Sequence, residues 1–174
     1  RRQRNRADAR AVATLGSEDL ASRTLPARNA VTADLPSDLP EAVLCALEAR
    51  GVAHLWPHQR EAYDALTAGH DVLLTTGTAS GKSLAYQLPI LTAQAANPDA
   101  TALLLFPTKA LTRDQAAALE AFTRGAGLGA GQVVTYDADT PSHARPQLRR
   151  EVRTLLTNPD MLHMGILPNH RLWS

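Results

Sequence analysis

The chain has 174 residues, 44% of them apolar, and a formal net charge of +1. That length supports one domain with a real core, and that composition excludes a disordered chain. No run approaches the roughly 18 apolar residues of a membrane span, and no signal-peptide pattern is present, so no membrane partner is expected.

Two residue types are scarce. The single cysteine, Cys45, has no partner for an internal disulfide. It is expected to pack as a small apolar residue in a helix, which fits a reducing compartment such as the cytoplasm. Of 18 basic residues only Lys82 and Lys109 are lysines. Against so strong an arginine bias, each lysine points to a place that wants a compact ammonium rather than a guanidinium fork.

Residues 1–37 form a lead without sustained periodicity. Five of its first ten residues are Arg, which reads as a solvated, basic end. From 38 to 174 the pattern is that of one domain. Ser37 or Asp38 can cap a helix that stops at Gly51, with Val43, Leu44 and Leu47 as its apolar stripe. Trp56-Pro57-His58-Gln59 opens a second helix, expected to end near Ala68. Gln59 carries an amide able to pair with the N6 and N7 edge of adenine, although a Gln in a first helical turn is ordinarily just solvated. His54 and His58 are four apart, but Pro57 lies between them and no metal site is read there.

Leu73-Leu74-Thr75 reads as a buried strand that breaks into Thr76-Gly77-Thr78-Ala79-Ser80-Gly81-Lys82-Ser83 and then a helix. Strand, small-residue turn, Gly-Lys-Ser and helix together form a nucleotide triphosphate loop. Backbone N–H groups and the positive helix N-terminus face the phosphates. Lys82 is suited to the β and γ phosphates of ATP, and Ser83 to the accompanying Mg²⁺. Thr76 stands where a strict version of the motif has Gly, so the flanking strand and helix carry the reading.

The helix after the loop places Leu84, Leu88 and Leu91 on one face, and Pro89 is expected to kink it. Residues 101–106 are a short apolar run, expected to be a parallel strand covered on both faces. Pro107-Thr108-Lys109-Ala110-Leu111 turns into a helix to about Arg124, with Thr108 as cap. A hydroxyl, a lysine and free N–H groups at a strand's carboxyl end suit a ligand, and equally an ordinary helix start. The glycines at 125, 127, 129 and 131 follow a helix and precede a strand, the reverse of a dinucleotide fingerprint. Residues 132–136 and 152–157 are expected strands. Between them, Asp137 and Asp139 read as turn and capping residues. Asn158-Pro159-Asp160 then starts a short helix. Strands alternating with helices predict an α/β fold, a parallel sheet with helices on both faces. Its strand-to-helix turns should share one edge, offering a second phosphate-bearing ligand a place to bind.

Taken together, these stretches resemble superfamily 2 helicases. Trp56 to Gln59 matches their Gln motif, Thr76 to Ser83 the phosphate loop, Pro107 to Leu111 motif Ia and Thr157 to Asp160 the motif Ib region. Leu-Phe-Pro-Thr-Lys-Ala-Leu, Tyr-Asp-Ala-Asp-Thr-Pro and Leu-Thr-Asn-Pro-Asp-Met-Leu-His are similar to the DEAD/DEAH-box DNA repair helicases of the mitomycin-repair type, which carry a C-terminal zinc region. The family's phosphate loop often lacks the first Gly, and Ala138 stands where the family leads us to expect Gly. The resemblance implies an incomplete RecA-like P-loop domain in which Gln59 reads adenine and the loop holds ATP and Mg²⁺. It implies that Pro107, Thr108, Lys109, Thr157 and Asn158 lie along single-stranded or forked DNA, or RNA, and that the whole enzyme moves 3′ to 5′.

Helicase hydrolysis also needs an adjacent Asp-Glu pair that holds Mg²⁺ and orients water. The one adjacent acidic pair, Glu18-Asp19, is in the wrong place. The chain is therefore expected to be the front of a longer motor, ending before that motif, and to hydrolyse no ATP alone. Another P-loop enzyme, such as a small-molecule kinase, and a non-catalytic nucleotide- or DNA-binding module are the alternatives. Oligomeric state is not legible.

Overall fold

The computed structural model describes residues 31–77, 80–129 and 132–173. The Arg-rich start, Thr78 and Ala79 lie outside the described residues. Helix α1 spans Glu41–Ala49, α2 Pro57–Thr67 and α3 Lys82–Ala96. Strand β1 is Ala102–Leu105, followed by α4 at Lys109–Gly125 and β2 at Val133–Thr135. Helix α5, Arg145–Glu151, leads into β3, Thr154–Thr157. A single helical turn, Pro159–Met161, passes into a π-turn at Leu162–Ile166 and 3₁₀ turns at Leu167–Leu172.

The sheet has the order β1-β3-β2, all parallel, with Leu104 beside Leu156 and Val134 beside Leu155. Side chains alternate across the pleat of β3, so its two leucines face opposite layers. Leu156 packs with Ala116 and Leu119 of α4 and with Val133. Leu155 packs on the other face with Tyr136, Ile166, Leu148 of α5 and Trp173. Helices therefore cover both faces, as the alternating pattern predicts. A separate core joins α1, α2, α3 and α4 through Val43, Leu47, Tyr63, Leu88, Leu91 and Phe122. Each such side chain contributes on the order of 1.5–3 kcal/mol by leaving water. Ala33 and Leu55 exchange two backbone hydrogen bonds of 2.8 and 2.9 Å, which tie the segment before α1 to the start of α2.

Several expectations are corrected. Residues 73–75 form no strand: Leu73 is 88% exposed, and the stretch pairs with none of the described strands. Half-buried Val72, Leu74 and Thr76 do alternate with exposed Leu73, Thr75 and Gly77. The pleat-like pattern is present without the ladder, because ladder bonds require a neighbouring strand and composition does not supply one. Strand β1 is not covered on both faces, since Leu103 and Leu105 are exposed; β3 is the strand buried at every residue. The buried stripe of α1 is Val43, Ala46 and Leu47, while Leu44 and Cys45 face outward. Its first turn has no side-chain cap from Ser37 or Asp38; Pro40 occupies that position. Helix α3 runs on through Pro89 to Ala96.

Candidate nucleotide site and nucleic-acid face

Gln59 sits at the third position of α2 and is only 4% exposed, so it is not a solvated helix-start residue. Its Oε1 accepts the Trp56 N–H at 2.9 Å, satisfying one of the donors that a helix start leaves without partners. Its Nε2 donates to the Gly81 carbonyl at 2.8 Å. Gly81 caps α3 with φ +77°, and a Cβ there would stand 2.6 Å from Gln59 Nε2. The glycine thus serves both a left-handed turn and a close approach.

The phosphate-loop residues described converge on α3. Lys82 Nζ donates to the Thr76 carbonyl at 2.7 Å and to the Gly77 carbonyl. The hydroxyls of Thr76 and Ser80 are 2.8 Å apart. Ser83 Oγ donates to Oε1 of Gln115 on α4 at 3.2 Å, and the Tyr86 hydroxyl donates to the same oxygen at 2.6 Å. Burial raises the Tyr86 phenol above its ordinary range, so it remains a neutral donor. These groups suit a triphosphate and its cation: a positive-φ glycine cap, a lysine held by backbone carbonyls and a hydroxyl one residue on. Sequence reasoning missed Gln115 and Tyr86, because a mid-helix glutamine carries no local signal. They connect the loop helix to the helix that starts at Lys109.

A second constellation gathers at the carboxyl ends of the three parallel strands. Thr108 caps α4, its hydroxyl accepting the Leu111 N–H at 3.3 Å. Lys109 and Arg113, one turn apart on α4, both donate to Asp139 Oδ2, at 3.0 and 3.1 Å. Asp139 N–H in turn donates to Asp137 Oδ1 at 2.9 Å, so the turn reading of these aspartates is right but misses the ion pairs. The Lys109 ammonium, and then Arg113, holds the Asp139 carboxyl below the usual carboxylate range. Asn158 caps the next turn by accepting the Met161 N–H at 2.8 Å. Lys109 and Asn158 line one cleft of about 410 Å³, which Arg145 and Asp160 also border. The i, i+4 spacing of Lys109 and Arg113 was the one available signal for Arg113. Pro107 is exposed beside them.

Thr157 does not join this face. It is fully buried, and its hydroxyl donates to the Tyr136 carbonyl at 2.6 Å, locking β3 to the end of β2. Its expected place along bound nucleic acid is corrected on that ground.

A family model described as DEAD/DEAH box helicase matches residues 56–173. The chain is 40% identical over 146 residues to the uncharacterized ATP-dependent helicase YprA of Bacillus subtilis, covering 84% of this chain and 19% of that protein. It is 38% identical over 151 residues to the ATP-dependent helicase HRQ1 of Saccharomyces cerevisiae, covering 86% of this chain and 14% of that one. A crystal structure of the DUF1998 helicase MrfA bound to DNA and AMPPNP superposes with a TM-score of 0.85 at 36% identity, over 95% of this chain and 23% of that chain. The chain thus spans about a fifth or less of the curated relatives it matches. With the phosphate loop, the Gln motif residue and the parallel sheet in the places just described, this chain belongs to the DEAD/DEAH box helicase family.

Proposed function

We propose that this chain is the nucleotide-binding front of an ATP-dependent DNA helicase, acting on single-stranded or forked DNA and moving 3′ to 5′ as part of the whole enzyme. One observation carries the reading. The loop helix α3 and the Lys109 helix α4 are joined side chain to side chain through Ser83, Tyr86 and Gln115. A nucleotide site and a basic strand-end face are thereby mechanically continuous, as a motor driven by nucleotide turnover requires. The relatives named ATP-dependent helicases, and the MrfA structure with DNA and AMPPNP, support the assignment.

The chain's own residues then act as follows. Lys82 releases the Thr76 and Gly77 carbonyls and presents its ammonium to an anion. The Ser83 hydroxyl leaves Gln115 to face a divalent cation, while Tyr86 keeps Gln115 in place. Gln59 holds the Gly81 carbonyl and ties the loop's exit to α2. Mg²⁺-ATP, when bound, supplies the free energy of phosphoryl transfer. Thr108, Lys109 and Asn158 face the nucleic-acid backbone. We place the protein in the cytoplasm.

The test uses the longer protein that contains this chain. DNA-stimulated ATP hydrolysis and unwinding of a 3′-tailed duplex are expected, both abolished by Lys82→Ala. Nucleotide turnover indifferent to DNA would instead favour a small-molecule kinase. RNA-stimulated turnover equal to that with DNA would overturn the DNA preference. The 174-residue chain alone, lacking an adjacent Asp-Glu pair, is expected to bind a fluorescent ATP analogue without turnover.

A further inference from the structure

The outward face of α1 belongs neither to the phosphate loop nor to the strand-end face. Val43, Ala46 and Leu47 turn inward, which leaves Glu41, Leu44, Cys45 and Glu48 exposed. Their i, i+3, i+4, i+7 spacing puts all four on one side of the helix. An apolar pair therefore stands between two glutamates about 10 Å apart along the axis. A groove runs beside this stripe. Helix α1 stops at Gly51, whose φ of +71° turns the chain, and the Val52 N–H donates back to the Leu47 carbonyl at 3.0 Å. The paired backbones of Ala33 and Leu55 bring the segment before α1 alongside. Leu35 and Val52 are thereby packed against the core, and with Leu44, Glu48 and Ala53 they line a groove of about 410 Å³. A Cβ built on Gly51 would meet no atom within 4 Å, so the groove is open at that end.

The charge on these segments has one sign. Asp34, Asp38, Glu41 and Glu48 are all exposed. Between residues 31 and 53 the one basic residue is Arg50, and its guanidinium is committed to the Phe122 ring, 4.4 Å from the centre. An acidic rim repels nucleic acid and anionic lipid alike. It also opposes a second copy of the chain, which would bring the same carboxylates to the contact. What complements it is an apolar side chain carried between cations, whose own aliphatic stems extend the apolar contact.

We propose that this groove is the docking site for a separate protein, which presents an amphipathic helix with an apolar anchor flanked by lysines or arginines. The anchor packs on Leu35 and Val52 beside Leu44, and basic residues seven apart on the partner face Glu41 and Glu48. This is recognition of a helix in a groove. The apolar contact supplies most of the affinity, while the exposed carboxylates set orientation and association rate.

The test uses the longer protein that contains this chain. The probe is a labelled amphipathic peptide with leucines on one face and lysines on both sides of them, and a twin has glutamates for the lysines. In fluorescence anisotropy the lysine peptide binds and its twin does not. Leu44→Gln weakens binding about tenfold, as loss of a central anchor does. Glu41→Lys with Glu48→Lys weakens it by a similar factor and removes its salt dependence. Glu151→Lys, an exposed acid on α5, changes nothing. All these side chains are at the surface, so the variants fold. Cys45 gives an independent readout: iodoacetamide alkylates it readily in the free protein, and saturating lysine peptide slows the reaction severalfold, read by mass spectrometry at that residue. Four outcomes overturn the proposal. Cys45 protected before any peptide is added means that the longer protein covers this face itself. A dimer lost on Leu44→Gln means that a second copy does. Equal binding of the twin removes the basic partner. Binding of the lysine peptide that neither Leu44→Gln nor the double variant weakens, or no binding at all, removes the groove.

Discussion

Gln59 donates its side-chain amide to the carbonyl of Gly81 at 2.8 Å, joining the first turn of one helix to the residue that caps another, 22 positions later. Both ends of this amide are in use, and the residue is almost wholly buried. Gln59 is therefore a structural tie of the phosphate loop as well as the candidate reader of adenine.

Gln59→Ala removes both hydrogen bonds and leaves the Gly81 carbonyl without that donor. The expected cost is about 1–3 kcal/mol in urea unfolding, together with weaker binding of a fluorescent ATP analogue. Unchanged stability would mean that the tie contributes nothing.

Gly81→Ala places a Cβ at φ +77° and against Gln59. Left-handed backbone at a non-glycine residue costs about 1–3 kcal/mol, and the lost Gln59 contact adds to it. At this chain length each kcal/mol lowers Tm by about 2–4 °C, so a thermal melt should fall by several degrees.

Asp139 titrates below the usual carboxylate range because Lys109, and then Arg113, favour its ionised form. A depressed folded-state value means that the contribution is present above the ordinary carboxylate value. It is lost as pH falls through the lower, folded value. In a ¹³C-detected NMR titration Lys109→Ala should shift the Asp139 midpoint upward. Because the carboxylate is exposed, 0.5 M salt should shrink the difference.

Thr157→Val keeps the shape of a buried side chain and deletes its bond to the Tyr136 carbonyl. The expected loss is about 1–3 kcal/mol of stability with no change in affinity for single-stranded DNA at temperatures where the variant is folded. A loss of DNA affinity without loss of stability would return Thr157 to the binding face.

How much was legible in advance follows from the range of the interactions involved. The helix starts at Pro57, Lys82 and Lys109 were readable, because prolines, glycines and capping hydroxyls act within three or four residues. The small-residue turn into the helix at Lys82 was readable for the same reason: a run of small residues between an apolar stretch and a helix is a local arrangement. The run at 73–75 has the composition of a strand, yet only a paired neighbouring backbone makes a strand, and none of the described strands pairs with it. Likewise, nothing in the spelling of 153–158 reveals that Thr157 points inward while Asn158 borders a cleft. Register and burial decide that.

The sequence by itself determined the family, the parallel α/β plan and the helix start at Lys82, because each is written in contiguous residues with a local physical cause. Only the tertiary structure decided that Gln59 holds Gly81, that Ser83 meets Gln115, and that Lys109 and Arg113 converge on Asp139. Those pairs are separated by 22 to 32 positions along the chain. Their partners are selected by packing of whole helices against the sheet, a choice that no local pattern of residue types encodes.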